Sequence, residues 1–200
     1  MGRAVLTEKN RWRTALIAAR EALPPPVRAA RAVALAGAAV RLAGRTGGPV
    51  CAYLPVGLEP GSPELVDALL AAGHRVLLPV VPSTPGPLDW AAYTGPASLH
   101  AGPLGLREPT GTRLGPAAVA DARLVLVPAL AADRTGARLG RGGGYYDRTL
   151  PLAAPGVPLV VVLNDEELVE RLPAEPHDRR VTAALLADAG HTPLGNNRFP

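Results

Sequence analysis

Short, predominantly apolar runs over residues 50–54, 76–81, 124–127, 157–163 and 181–186 are the strongest constraint on this chain's fold. They are rich in Val and Leu, bounded by Gly or Pro, and too short for typical helices. Apolar residues fill successive positions in them, so both faces of each strand must be covered. That is the pattern of buried, parallel strands. A further short strand is expected at 88–93, within a Pro- and Gly-rich stretch over 82–116.

Helical patterns alternate with these runs. Residues 7–23 place Trp12, Leu16, Ala19 and Leu23 at helical spacing, with Thr7 as the cap and Pro24-Pro25-Pro26 as the stop. Lys9, Arg11, Arg13 and Arg20 make this helix basic. An Ala-rich helix follows over 27–42. Ser62-Pro63 opens a third that Gly73 closes. Short helices are expected at 145–150 and 166–172. Strands alternating with helices imply an α/β architecture: a layered, largely parallel sheet flanked by helices, in one domain spanning 1–200. Residues 189–200 read as a flexible tail.

The charge balance narrows the partners. The net charge is +4, from 21 basic and 17 acidic residues, and the basic residues are scattered. A nucleic-acid binder would carry a dense basic stripe with interleaved aromatics, so no nucleic-acid partner is expected. No apolar run reaches membrane-spanning length, and no secretory signal is expected at the N-terminus. Cys51 is the only cysteine and sits in an apolar run, where a buried strand thiol is expected. A reducing cytoplasm fits.

The chemistry concentrates in Arg138-Leu139-Gly140-Arg141-Gly142-Gly143-Gly144-Tyr145-Tyr146-Asp147. Glycines admit close backbone approach to a ligand and leave N–H groups free for anions. Guanidinium groups match phosphate or carboxylate oxygens. An aspartate beside phosphates suits a hard cation such as Mg²⁺. The residues point to a nucleotide-phosphate site beside an aromatic platform. It is neither of two common phosphate loops. Gly-x-x-x-x-Gly-Lys-Ser/Thr is absent, and Tyr145 stands where Gly-x-Gly-x-x-Gly needs its third glycine.

This stretch, extended from Asp133 and Gly136 to Arg148, closely resembles the signature of the 5-formyltetrahydrofolate cyclo-ligase family. Further pieces resemble the family in order: Lys9-x-x-x-Arg13, Tyr53-Leu54-Pro55 with Glu59, Gly105-Leu106-Arg107-Glu108-Pro109, the run 124–128, and Leu172-Pro173-x-Glu175-x-His177-Asp178. The resemblance covers about 5–188. It implies an α/β enzyme that uses ATP and Mg²⁺ to convert 5-formyltetrahydrofolate to 5,10-methenyltetrahydrofolate. It also implies a cytoplasmic monomer whose partner is a reduced folate.

Carried over residue by residue, Lys9, Arg13 and Arg138 through Tyr146 (Leu139, Gly140, Arg141, Gly142, Gly143, Gly144 and Tyr145 among them) resemble the ATP contacts. Leu54, Glu59 and Arg141 through Tyr145 resemble the folate contacts. Arg141, Tyr146 and Glu59 are implied in the reaction, and Asp147 and Asp178 resemble the Mg²⁺ ligands. As a metal ligand, Asp147 would be needed for turnover and little needed for folding. His177 would orient Asp178. Trp90, Tyr93 and Tyr145 are candidate stacking surfaces. Ala131-Ala132 stand where the family has a bulkier residue, which predicts a thinner pocket wall.

Overall fold

The computed structural model describes residues 2–175 and 179–195. In chain order its elements are α1 (Gly2–Ala22), α2 (Pro25–Thr46), β1 (Val50–Cys51), α3 (Glu64–Ala71), β2 (Val76–Val80), β3 (Asp89–Tyr93), β4 (Leu99–Ala101), β5 (Arg107–Pro109), β6 (Leu124–Pro128), β7 (Ala131–Asp133), β8 (Arg138–Leu139), α4 (Tyr145–Thr149), β9 (Leu159–Leu163), β10 (Leu168–Val169), β11 (Ala183–Leu186) and β12 (Gly190–Pro193), with short 3₁₀ turns between some of them. Seven strands form the main sheet, in the order β12-β11-β9-β6-β1-β2-β3. The inner five run parallel, and β3 and β12 close the edges antiparallel. The expected α/β sheet, largely parallel and flanked by helices, is what forms.

Period-2 alternation divides each apolar run between two cores. Val50, Leu78, Leu126, Val160, Val162 and Leu185 meet Leu35 and Leu42 of α2 and Leu65 and Leu69 of α3. Cys51, Leu77, Val125, Val127, Val161 and Leu163 meet Trp90, Val119 and Leu150 on the other face. Each fully buried Val or Leu contributes roughly 1.5–3 kcal/mol, so double-sided burial holds the inner strands. Helix α2 is longer than expected at both ends. Pro25 and Pro26 fit its first turn, where an N–H would go unbonded anyway. It ends where Gly47, at φ 64°, returns its N–H to the Ala43 carbonyl. Helix α1 begins before Thr7, because nothing in residues 2–6 breaks it.

Three other expectations change. Residues 166–172 do not form a helix. Asn164 and Glu167 close a reciprocal capping box around a 3₁₀ turn, and the chain then pairs with β7 as β10. The expected tail from 189 begins with β12, which zips antiparallel onto β11; residues 196–200 lie outside the described residues. Trp90 and Tyr93 are buried in opposite cores, at 0% and 2% exposure, so neither can stack on a ligand.

The strand order positions the site. In chain order the parallel strands lie 2-1-3-4-5 across the sheet, so the winding reverses between β1 and β6. Loops leaving the carboxyl ends of those neighbours diverge, which opens a crevice at the switch point. A small sheet, β10-β7-β8, sits beside it. Leu16 of α1 packs onto it with Leu130, Leu139 and Leu172.

Candidate active site

A cavity of about 550 Å³ occupies this crevice. Lys9, Arg13, Leu54, Glu59 and every residue from Arg138 to Asp147 line it. Three separate chain segments therefore deliver these expected residues to one place: α1, the loop after β1, and the continuous stretch from β8 through the glycine loop into α4. Asp178 and His177 lie outside the described residues. Ala131 and Ala132 are fully buried and do not line the cavity, so the expected thin wall is not there.

The glycine loop is set up from behind. Asp133, 1% exposed, accepts hydrogen bonds from the N–H groups of Thr135 at 2.8 Å, Ala137 at 3.0 Å and Leu172 at 3.0 Å. This fixes the β7–β8 turn that presents Arg138. Gly142 adopts φ 105°, and a Cβ there would lie 3.7 Å from the Arg13 guanidinium carbon. The loop backbone thus passes directly over the Arg13 head group.

Cations and carboxylates alternate around the cavity. Lys9 Nζ meets Glu175 Oε2 at 3.1 Å. Arg141 Nε meets Glu59 Oε1 at 3.1 Å, and the other Glu59 oxygen accepts the Val56 N–H at 2.9 Å. Arg138 donates from both terminal nitrogens to Asp147 Oδ1, at 3.1 and 2.7 Å. Arg13 differs: its Nε donates to the Gly140 carbonyl at 3.0 Å and its Nη1 to Asn10 Oδ1 at 2.6 Å. Both acceptors are neutral, so its charge is the least compensated of these. Arg13 can therefore offer its charge to an anion in the cavity.

A model of the 5-formyltetrahydrofolate cyclo-ligase family matches residues 5–187. The chain belongs to that family. It is 47% identical over 188 residues to the 5-formyltetrahydrofolate cyclo-ligase of Mycolicibacterium smegmatis, covering 91% of this chain and 95% of that one. It is 32% identical to the Escherichia coli K12 cyclo-ligase, covering 68% and 76%. Its fold is similar to that of the 5,10-methenyltetrahydrofolate synthetase of Aquifex aeolicus, with a TM-score of 0.76, 26% identity, and coverage of 96% and 95%. As a cyclo-ligase family member it is an enzyme of the ligase class.

Tyrosines close part of this cyclo-ligase cavity. Burial, then the nearby Glu59 charge, raise Tyr146 far above the usual tyrosine range, while Arg138 opposes the rise. Burial and Glu59 raise Tyr53 likewise. Both are protonated donors at neutral pH. Tyr53 Oη donates to the Pro60 carbonyl at 3.3 Å. Tyr146 Oη is buried and makes no hydrogen bond among the described residues. A buried hydroxyl without a partner costs roughly 1–3 kcal/mol, and a ligand atom beside it would relieve that cost. Tyr145 is held under Arg148, whose guanidinium carbon lies 5.3 Å from the ring centroid. Of the three expected stacking surfaces, only Tyr145 lines the cavity.

Several lining residues carried no role in the sequence reading. Glu175 stood in a quoted motif, and the chain's only lysine was the signal for its partner. Glu108, 3% exposed, accepts the Val81 N–H at 2.8 Å and ties β5 to the end of β2. Burial, with the Asp121 charge adding to it, pushes the Cys51 thiol up to about 12. Cys51 is core, as expected, and not a nucleophile.

Proposed function

We propose that the enzyme closes the folate ring of 5-formyltetrahydrofolate to give 5,10-methenyltetrahydrofolate, with ATP converted to ADP and phosphate. The observation that carries this is the convergence, in one cavity, of a cationic glycine loop with Glu59 and the tyrosines. A formamide oxygen is a poor leaving group. Transfer of the γ-phosphoryl group to it creates a phosphorylated imidate, which N10 attacks at carbon with loss of phosphate. The protein's tasks are alignment and charge neutralisation.

Arg13 and Lys9 extend from α1 to the polyphosphate, with Arg138 and the glycine N–H groups beneath it. Arg141 bridges the two halves, since it already links the phosphate loop to Glu59. Glu59 orients the formyl end of the folate, Leu54 packs against its ring system, and Tyr146 donates to an oxygen that gains charge. Tyr145 offers the flat face.

The donor set fits Mg²⁺. Asp147 Oδ1 takes both Arg138 contacts, and its Oδ2 takes no hydrogen bond among the described residues. One or two carboxylates plus phosphate oxygens suffice for this cation, so Asp147 and Asp178 would hold it, where it neutralises phosphate charge. The same reading is of a monomeric, cytoplasmic enzyme. Among the described residues, no helix is long and apolar enough to cross a membrane.

Absorbance in the methenyl band, with purified protein, 5-formyltetrahydrofolate and Mg²⁺, tests the reading. It should rise only when ATP is added. Folate binding by calorimetry without any rise would replace this reading with a folate-sequestering one.

A further inference from the structure

Helix α1 carries two of the nucleotide contacts, yet it lacks the broad apolar face that seats α2. Helix α2 buries Ala32, Leu35, Ala36, Ala38, Ala39, Leu42 and Ala43. Among the residues of α1 with described side chains, Leu16 is the only buried apolar one. The others buried there are Lys9 at 8% exposure and Arg20 at 2%. Lys9, Arg13, Leu16 and Arg20 are spaced by four, three and four residues, so they form one stripe along the helix. Polar contacts therefore set how α1 sits. Two of them, Lys9 with Glu175 and Arg13 with the Gly140 carbonyl, involve groups that line the cavity. Arg20 does not line it.

The Arg20 contact is built more firmly than the other two. Its Nε and Nη2 grip the two oxygens of Glu167 at 2.7 and 2.8 Å, and Nη2 also donates to the Ala129 carbonyl at 2.7 Å. Glu167 is 3% exposed. The Asn164 N–H at 3.0 Å and Asn164 Nδ2 at 2.8 Å hold it in turn. Ala129 follows the last residue of β6 and borders the cavity; Asn164 follows the last residue of β9. The guanidinium thus staples α1 to the carboxyl ends of two adjacent central strands. At 1.5 Å per residue, Arg13 and Lys9 lie about 10 and 16 Å further along the helix.

We propose that Arg20, through Glu167, is a positioning residue for the nucleotide half of the site: it fixes the roll and height of α1, so that Lys9 and Arg13 meet the phosphates. This rests on the ATP reading above. Bidentate geometry matters here, because a lysine would keep the charge and lose the fork. A small displacement of Lys9 and Arg13 weakens phosphate contacts steeply. Leu54 and Glu59 are on the loop after β1 and stay where they are.

The test compares wild type, Arg20→Met/Glu167→Leu and Arg20→Lys. The double variant replaces a buried ion pair with apolar groups of similar size, but it also leaves the Asn164 donors and the Ala129 carbonyl without these partners, so it is expected to melt below wild type. Affinity for a non-hydrolysable ATP analogue and for 5-formyltetrahydrofolate is measured by calorimetry, each alone. Circular dichroism and thermal melting check folding. The expected result is a folded double variant with analogue affinity reduced about tenfold or more and folate affinity unchanged. Arg20→Lys should fall between it and wild type, and it carries the test if the double variant does not fold. Unchanged analogue affinity, or an equal loss for both ligands, overturns the proposal. Failure of the activity reading shows separately, as wild type without ATP-dependent turnover.

Discussion

Replacing Asp147 by alanine should cost both turnover and stability. From sequence alone, Asp147 as a metal ligand is little needed for folding. The structure instead places Asp147 as the acceptor for both terminal nitrogens of Arg138, whose side chain is 4% exposed against 39% for Asp147. Breaking a fully buried pair costs about 3–5 kcal/mol. Losing an exposed one costs about 0–1 kcal/mol. With one partner buried and one half-buried, a loss of about 2 kcal/mol follows. For a chain of this size that lowers the melting temperature by about 4–8 °C. Asp147→Asn keeps an acceptor oxygen for the guanidinium and should lose about half as much. Both variants surrender the anionic oxygen offered to Mg²⁺, so both should lose at least about a hundredfold in kcat/KM, or about 2.7 kcal/mol of transition-state stabilisation. Calorimetric melting and the methenyl absorbance assay separate the two effects. Near-normal turnover in Asp147→Asn would refute the metal role. An unchanged melting temperature in Asp147→Ala would refute the pairing argument, whatever the turnover.

Three further outcomes are expected. Tyr146→Phe removes a buried hydroxyl that has no partner among the described residues, so thermal stability should hold or rise while kcat/KM falls about tenfold; a clear loss of stability would show that the hydroxyl is structurally bonded. Gly136→Ala should lower the melting temperature by several degrees, because Gly136 sits at φ 87° and a Cβ there would run into the Val181 carbonyl oxygen, a strain of about 1–3 kcal/mol before the clash is added; a melting temperature equal to wild type would contradict this backbone. Burial, then the nearby Arg45 charge, hold His191 below the usual histidine range, so its contribution to stability is complete above about pH 6.5 and is lost as pH falls below it. Urea midpoints should therefore drop more steeply from pH 7 to 5 in wild type than in His191→Gln, and parallel slopes would exclude this role.

Much of the sheet was legible because parallel strands need apolar residues on both faces, a pattern few other elements share. Residues 76–80, 124–128 and 159–163 became strands for that reason. The segment 166–172 misled because its apolar spacing suits either a short helix or a turn leading into a strand. What decides between them is Glu167, which points inward to Asn164 and Arg20, a long-range fact. Trp90 and Tyr93 misled for a related reason. Aromatics serve cores and ligand platforms equally well, and only burial distinguishes the two uses.

That the glycine loop lines the cavity could be read because its chemistry is local: glycines, guanidinium groups and a carboxylate within one short segment. The first helix could be read only in part. Lys9 and Arg13 are singled out through the family resemblance, since a charged helix surface is ordinarily solvated. Yet Leu16 marks the inward side, and Lys9, Arg13 and Arg20 fall on the same stripe. That register was present in the sequence and implies cations turned toward the protein. What it could not supply was their acceptors, because Arg20 and Glu167 are 147 residues apart in the chain. A buried arginine demands a carboxylate somewhere, and here the partner comes from the turn after β9. The helix that carries Lys9 and Arg13 is therefore seated by charge at both ends of its inward stripe. Its placement is expected to be more sensitive to single charge substitutions than that of α2, which is seated by seven apolar side chains.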